Sequence, residues 1–330
     1  MKLINSSWEI IEQQPGLEGI YEQIELAGRT CYKSTRPEGK TAKDFVDFLI
    51  KRGHLSPLEH GTVYLMEIWK NTPFDMHLQS KWDNNPYTKI VKVAVGDDIY
   101  RYITTNYRVL VENDWLDDLQ YLCEPTEYHA KRISIKVNCS IGISREWNRH
   151  RALDLTEDMK SINSLEFSVC EQSTRYCNYS KDKFGNELTF IIPSWLEIPE
   201  GRYMYEDQNP FLTAGGSIED YGYDDDPNVW FENGAPFKRA RVGTALDKFF
   251  KLLHNASEAY FDLLSNHTPQ QAREVLPLAT ATEVVYTGFV DGWKNFFQMR
   301  SSILAGNAPH PDIAVLADPL YEEFIKRELI

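Results

Sequence analysis

The segment Arg145-Glu-Trp-Asn-Arg149-His150-Arg151 is followed, after residues 152–170, by Glu171-Gln-Ser173-Thr-Arg175-Tyr176. These segments gather arginines, a histidine, hydroxyls and carboxylates in a chain whose formal net charge is -14. The arginine guanidinium is planar and permanently charged, so it binds phosphate through two parallel hydrogen bonds. Arg149–Arg151 alone is better interpreted as a solvated helix face. The hydroxyls and guanidinium of Ser173–Arg175, however, favour a phosphate cradle. Together the segments predict a pocket for a phosphorylated small molecule.

Composition limits the kind of protein that this is. The 330 residues are 42% hydrophobic, which is enough for a large core in one elaborate domain or in two. The acidic balance argues against nonspecific binding of nucleic acid or anionic membranes. The five cysteines are odd in number and form no CxxC pair, which suits a reducing compartment. No stretch resembles a signal peptide or a membrane span, so we expect a cytoplasmic protein.

Hydrophobic spacing and capping signals predict the main elements. Thr41 can cap a helix with Asp44 three residues later, and Gly53 can end it. A short helix is expected from Thr268, ending before Pro277. The remaining predictions are helices over 41–53, 240–266 and 290–302, strands over 62–68 and 132–137, and an extended stretch over 282–287.

Two stretches are interpreted as insertions. Residues 70–130 are polar and irregular, and we expect an insertion there that contains its own helix. Residues 181–238 carry many Gly, Pro, Asn and Asp, which is typical of a surface elaboration.

Several other chemistries are less well supported. Arg273 and Arg300 each lie among apolar residues, so each must be paired or bind a ligand, and the two interpretations are about even. The segment His54–His60 and the run Asp224–Asp226 lack the spacing of known metal sites, so no metal is predicted. Neither a dinucleotide-binding GxGxxG nor a P-loop occurs. Cys170 and Cys177 lack an evident His–Asp relay and are better interpreted as packed thiols.

Four blocks of sequence, in order, resemble the flavin-dependent thymidylate synthase (ThyX) family. The first two are Thr30-Cys-Tyr-Lys-Ser34 and His54-x-Ser56-Pro57-x-Glu59-His60. The third is Arg149-His150-Arg151 together with Ser168-x-x-Glu171-x-Ser173-x-Arg175-Tyr176. The fourth is Ala272-Arg273-x-Val275-Leu276-Pro277, followed by Thr287, Asn295 and Arg300. With their flanks, these blocks cover about half of the chain.

The resemblance implies an enzyme that methylates dUMP to dTMP. Methylenetetrahydrofolate would supply the carbon, NADPH the reducing equivalents, and FAD would mediate between them. The implied fold is α+β, a single catalytic domain over residues 1–330 with long helices and a central antiparallel sheet, enlarged by insertions at 70–130, 152–165 and 181–238. The implied assembly is a homotetramer whose sites lie between subunits.

The resemblance also implies roles for individual residues. Arg300, against the uracil, and Ser173 would be the catalytic residues. The residues implied to bind the nucleotide are Glu146, Arg149, Glu171, Ser173, Thr174, Arg175, Arg273 and Arg300. The residues implied to line the flavin or folate side are Cys31, His54, Ser56, Glu59, Arg149, His150, Arg151, Ser168 and Asn295.

This chain departs from the family pattern at several positions. Residues 152–165 extend the usually short linker inside the central motif. Glu146 stands where glutamine is often found, and Cys31 where a serine is commoner. Phe289 and Asp291 replace an Asn and an Arg that commonly bind flavin. Two alternatives therefore stay open: a diverged flavoenzyme that acts on another pyrimidine nucleotide such as dCMP, and a noncatalytic nucleotide-binding protein of the same fold.

Overall fold

The computed structural model describes residues 1–70, 80–149, 167–205, 229–231, 245–304 and 308–330. Its helices are α1 (Gly16–Tyr32), α2 (Ala42–Arg52), α3 (Tyr107–Glu112), α4 (Ile141–Asn148), α5 (Ala245–Leu264), α6 (Pro269–Ala272), α7 (Val290–Arg300) and α8 (Pro311–Lys326). Its strands are β1 (Lys2–Ile4), β2 (Ser7–Ile11), β3 (Thr62–Lys70), β4 (Lys89–Val95), β5 (Asp98–Asn106), β6 (Arg132–Ser140), β7 (Phe167–Glu171), β8 (Thr189–Ile191), β9 (Gly201–Tyr205), β10 (Val229–Phe231) and β11 (Ala281–Phe289).

The strands form three sheets, with the orders β10-β9-β1-β8, β2-β6-β11-β7 and β3-β5-β4. In the second sheet β11 and β7 are antiparallel, and Thr287 lies opposite Ser168. The third sheet is antiparallel, and its central strand β5 pairs with β3 on one side and with β4 on the other. The predicted α+β fold with a central antiparallel sheet is therefore confirmed.

The described chain divides into two compact units. Unit 1 comprises Met1–Ser7, Asn138–Ser144 and Ser173–Thr282, and unit 2 comprises Trp8–Val137, Arg145–Gln172 and Glu283–Ile330. The core of unit 1 is built from β-strand side chains such as Phe190 and Tyr203 and from Phe250, Leu253 and Tyr260 of α5. A large core of unit 2 gathers α1, α2, β3 and β5 around residues such as Ile24 and Leu65. The single catalytic domain stays a prediction.

Local signals account for α2. The Thr41 side chain accepts a hydrogen bond from the backbone N–H of Asp44, and the Asp44 carboxylate accepts one from the backbone N–H of Thr41. Gly53 ends the helix with φ of 68°, in the left-handed region that glycine adopts without strain. Since this helix begins and ends where its caps predict, its existence and bounds are confirmed.

The described part of residues 70–130 is not irregular, as the sequence had suggested, whereas the insertion itself stays a prediction. Residues 89–106 form the antiparallel pair β4 and β5, which extends the sheet that begins with β3. Alternating β-branched and aromatic residues favour this pairing, but interspersed Lys, Arg and Asp obscured the pattern. The expected helix does occur there, as α3.

Residues 181–238 also hold more regular structure than expected. β8 pairs with β1 in parallel, and β9 pairs with β1 on its other side. The elaboration therefore helps to build the sheet of unit 1. α8 was not predicted, and the proposed insertion at 152–165 lies outside the described residues.

The long helix that was predicted over 240–266 is present as α5, and its apolar stripe packs into the core of unit 1. The strand and helix expected near 282–287 and 290–302 are β11 and α7. Over the described ranges, the helices are all too short or too polar to cross a membrane.

Candidate active site

An aromatic stack in unit 2 fixes the helix that carries Glu146. Trp147 of α4 is fully buried and stacks on Tyr286 of β11 at 4.8 Å and on Phe296 of α7 at 4.2 Å between ring centroids. Burial of large aromatic rings provides much of the packing energy of a core. The stack therefore holds the end of α4, where the arginine motif starts, against β11 and α7.

Glu146 and Arg300 lie close to each other in unit 2. The distance from Arg300 Nη1 to Glu146 Oε2 is 3.8 Å, which is an ion pair but is beyond hydrogen-bond distance. The two side chains are 16% and 30% exposed, so Arg300 forms a partly buried ion pair with a glutamate, and a ligand role for it stays a prediction. The positive charge of Arg300 thus offsets the negative charge of Glu146, which stands where the family often has glutamine.

The end of α4 is also rich in unsatisfied polar atoms. Glu146 Oε2, Trp147 Nε1 and Asn148 Oδ1 are buried and have no hydrogen-bond partner among the residues that the structure describes. Such atoms carry a desolvation penalty unless a partner is present, and they are typical of functional sites. They directly precede Arg149, which is exposed, whereas His150 and Arg151 lie outside the described residues.

The predicted phosphate cradle in unit 1 is a turn after β7. The Ser173 carbonyl accepts from the backbone N–H of Cys177 at 2.9 Å, and Ser173 Oγ accepts from the backbone N–H of Arg175 at 3.3 Å. Arg273 Nη1 lies 3.5 Å from Thr174 Oγ1. The structure therefore brings Thr174 and Arg273 together, as the motif predicted.

Gln270 is a member of this group that the sequence analysis did not identify. Its Oε1 accepts a hydrogen bond from Arg175 Nε at 3.3 Å. Gln270 and Arg273 are three residues apart at the short helix that Thr268 begins, so they share a helical face. This three-residue spacing was the sequence signal that could have identified Gln270.

The segment His54–His60 is partly a 3₁₀ helix, Ser56–His60. His54 and Ser56 are exposed, and His54 Nδ1 lies 3.5 Å from Tyr32 Oη. Glu59 is half-buried, and its carboxylate accepts a hydrogen bond from Arg108 Nη1 at 2.6 Å. The exposed side chains of His54 and Ser56 can therefore bind a ligand, whereas the nearby Glu59 carboxylate already has a partner.

Arg132, at the start of β6, is the second functional candidate that the sequence analysis missed. It donates to the Glu59 carbonyl at 3.0 Å, to Thr62 Oγ1 at 3.2 Å and to Ser168 Oγ at 3.2 Å. Burial lowers the pKa of Arg132 to about 10, so it stays charged at neutral pH.

A neutral polar chain lies on the same sheet. Buried His60 Nδ1 is 2.8 Å from Thr287 Oγ1, which is 2.7 Å from Ser134 Oγ. Burial, with a smaller contribution from the charge of Arg132, lowers the pKa of His60 to about 3. His60 is therefore uncharged at neutral pH, and its Nδ1 belongs to this chain of neutral polar groups.

Cys31 and Cys170 share a packed cluster between α1 and β7. The Cys170 thiol donates a hydrogen bond to Cys31, which lowers the pKa of Cys31 and raises that of Cys170 well above its usual value. Burial raises the pKa of Cys170 further. Cys31 is half-buried and is the more thiolate-like of the two, beside the half-buried Glu171 of the predicted nucleotide site.

The two replaced flavin positions contact Lys89, at the start of β4. Lys89 Nζ lies 2.7 Å from the Asp291 carboxylate and 4.7 Å from the centre of the Phe289 ring. The Lys89 hydrogen bond lowers the pKa of Asp291. Lys89 thus supplies a positive charge next to Asp291, the position where the family commonly has an arginine. Asn295 lies half-buried on α7.

A cavity of about 430 Å³ lies elsewhere in unit 2, and its lining contains none of the predicted site residues. Arg132, Thr62 and Ser134 form part of its wall. Because Arg132 also bonds Ser168 and the Glu59 carbonyl, one residue connects this cavity to the predicted flavin side.

Comparison with known proteins identifies the family. Residues 125–327 match the family model Thy1, described as thymidylate synthase complementing protein. Sequence comparison finds no curated protein that matches. Among solved structures, the chain is similar to the UMP/dUMP methylase PolB from Streptomyces cacaoi bound with 5-Br UMP, with 16% identity over 99% of this chain and 92% of that chain and a TM-score of 0.39. The same methylase bound with 5-Br dUMP gives 15% identity, coverage of 99% and 93%, and a TM-score of 0.39.

The matched range includes the arginine motif, the Ser173 turn and the block that ends at Arg300, whereas the first two blocks precede it. The range covers more than half of the 330 residues. The chain therefore belongs to the thymidylate synthase complementing protein family, the flavin-dependent thymidylate synthases that its motifs resemble.

Proposed function

We propose that this protein is a flavin-dependent thymidylate synthase that converts dUMP to dTMP. Methylenetetrahydrofolate is the proposed carbon donor and NADPH the proposed reductant. The observation that carries the proposal is the family match over residues 125–327, which contains both halves of the arginine motif.

The proposed phosphate ligands are Ser173, Thr174, Arg175 and Arg273. The contact between Arg273 and Thr174 and the exposure of Arg175 support this role. A guanidinium beside hydroxyl and backbone donors suits a phosphate dianion. Glu171 is proposed to contact the nucleotide as well, and Ser173 is proposed as catalytic.

Arg300 is proposed to act at the uracil ring. Its guanidinium is only 16% exposed, so its charge is little screened, and it can stabilise negative charge that develops on the ring. Glu146 orients this guanidinium from 3.8 Å, and it is proposed to lie near the nucleotide together with Arg149.

FAD is proposed to bind at His54, Ser56, Glu59, Ser168, Asn295, Cys31 and the Arg149–Arg151 motif. The exposed hydrogen-bonding groups of His54 and Ser56 fit an anionic dinucleotide. When bound, FAD would supply the hydride chemistry, so the protein itself needs no nucleophile. The high pKa of Cys170 agrees with that requirement.

A second candidate is methylation of a different pyrimidine nucleotide. The observation that favours it is Glu146, whose Oε2 is buried and lacks a hydrogen-bond partner among the described residues. A carboxylate accepts hydrogen bonds from an amino group, which cytosine has and uracil lacks. A nucleotide such as dCMP would therefore suit this position.

Tritium release tests the proposal directly. The purified protein should be yellow, and it should release tritium from 5-tritiated dUMP only when NADPH and methylenetetrahydrofolate are both present. Parallel assays with 5-tritiated dCMP and UMP test the second candidate. A colourless protein that binds nucleotide without turnover would instead indicate a noncatalytic binding protein, and the proposal would be wrong.

A further inference from the structure

Arg132 joins three elements of unit 2 through one side chain. Its guanidinium donates to the carbonyl of Glu59 in the 3₁₀ helix, to Thr62 Oγ1 at the start of β3 and to Ser168 Oγ on β7. The three distances lie between 3.0 and 3.2 Å. A lysine has the same charge but no planar fork, so it could not hold three acceptors in this arrangement.

Among the residues that the structure describes, no carboxylate lies within hydrogen-bond distance of Arg132, although the Glu59 carboxylate acts on its charge from further away. All three of its acceptors are neutral groups, and the Glu59 carboxylate is bound by Arg108 at 2.6 Å instead. Its neighbour His60 is buried and uncharged at neutral pH. The Arg132 guanidinium is half-buried and lies 5.6 Å from the centre of the Phe289 ring, which compensates its charge only in part, so we expect the cation to perform a further task.

Ser168 indicates what that task is. The Ser168 hydroxyl is buried, and its oxygen accepts from Arg132 Nη2. A hydroxyl that accepts from a cation keeps its own hydrogen for donation to another acceptor. Arg132 therefore sets Ser168 as a donor, and through the Glu59 carbonyl it also fixes the turn that presents Ser56.

We propose that Arg132 is a positioning residue for the flavin side of the site, which acts through Ser168 and the Ser56–His60 turn. This inference rests on the proposed function. It predicts that the fork of Arg132, and not its charge alone, sets the affinity for FAD.

Affinity for FAD in the full-length protein tests this inference. We expect Arg132→Lys and Arg132→Met to raise the Kd for FAD at least about tenfold, since charge-assisted hydrogen bonds are lost. At saturating FAD, kcat should return to within about threefold of wild type and the KM for dUMP should not change. Arg52→Lys, an exposed arginine at the end of α2, is the matched control and should leave the Kd for FAD unchanged.

A double-mutant cycle separates positioning from general stability. If Arg132 acts through Ser168, then Ser168→Ala should weaken FAD binding, and adding Arg132→Lys should weaken it little further. Variants that lower the Tm but bind FAD like wild type would overturn the inference, as would fully additive effects. Should both Arg132 variants be insoluble, an unchanged Kd for FAD in Ser168→Ala would overturn it equally.

The outcomes for wild type keep the two proposals distinct. A wild-type protein that binds no FAD contradicts the proposed function itself. A wild-type protein that binds FAD, together with an Arg132→Lys variant that binds it equally well, contradicts the positioning role alone.

Discussion

Arg300 ends α7 with a guanidinium that is paired only loosely with Glu146, at 3.8 Å. Arg300→Ala should lower kcat for tritium release at least about a hundredfold, because an electrostatic contact to the developing charge is lost. The Tm should change little, since the Arg300–Glu146 contact is longer than a hydrogen bond. Lys294→Ala, an exposed residue of the same helix, is the control and should retain wild-type kcat. An Arg300→Ala protein that is insoluble would indicate a structural ion pair instead.

His60 should make the stability of the protein fall in acid. The pKa of His60 is about 3 in the folded protein and 6.5 in the unfolded chain, so below pH 6.5 the unfolded chain binds a proton that the folded protein does not. Stability therefore decreases as the pH falls from 6.5 towards 3, by roughly 2–3 kcal/mol at about pH 4.5.

The His60→Gln variant tests this dependence in urea titrations at several pH values. We expect it to be less stable than wild type at neutral pH, because the contact with Thr287 is altered, but to lose less stability on acidification. Parallel losses in the two proteins would show that His60 does not contribute.

At the scale of elements, α1 packs closely against the turn before β3 because Gly61 in that turn has no side chain. A Cβ at Gly61 would lie 2.8 Å from Ile20 Cγ2 and from Ile24 Cδ1, both in the core. Gly61 has φ of -73°, so the backbone itself would accept alanine. Gly61→Ala should therefore destabilise the protein by about 1–3 kcal/mol through overpacking alone.

Gly142→Ala is the matched control for this effect. Its Cβ would lie 3.5 Å from the nearest atom, an ordinary van der Waals contact, and Gly142 lies inside α4. Because alanine favours helix, its stability should be unchanged or higher by up to about 1 kcal/mol. Equal losses in the two variants, measured as Tm or by urea unfolding, would contradict the packing argument.

Elements with strong local signals were predictable, and those that depend on distant partners were not. The two caps of α2 lie about a dozen residues apart in the chain, so the sequence alone was enough to predict this helix. The strands β4 and β5 pair with each other, and β5 also pairs with β3, but the lysines and arginine of β4 and β5 hid the alternation of their side chains. β8 and β9 each pair with β1, which lies far away in sequence, so local sequence signals could not predict their positions.

The candidate site shows the same division. The family resemblance implied that Arg273 and Thr174 both bind the nucleotide, and the two side chains are in contact. Arg132 was predicted only as a strand residue, since its partners Glu59 and Ser168 lie 73 and 36 residues away. Hydrophobic periodicity carries no information on such contacts.

At the scale of the whole molecule, the family resemblance leads us to expect a homotetramer. Large exposed apolar side chains on β3 and β4, Ile68, Val91 and Val95, are consistent with surfaces that associate. Light scattering on the purified protein should give four times the chain mass of 38.3 kDa. A monomer at micromolar concentration would contradict this prediction, and it would also rule out binding sites that lie between subunits.

The order β2-β6-β11-β7 has a consequence for synthesis on the ribosome. β11 lies between β6 and β7, but it is made last, more than a hundred residues after β7 ends. At about 5–20 residues per second, the nascent chain would carry two unpaired strand edges for roughly ten seconds. Unpaired edges recruit other chains, so newly made protein should depend on chaperones more than its finished fold suggests.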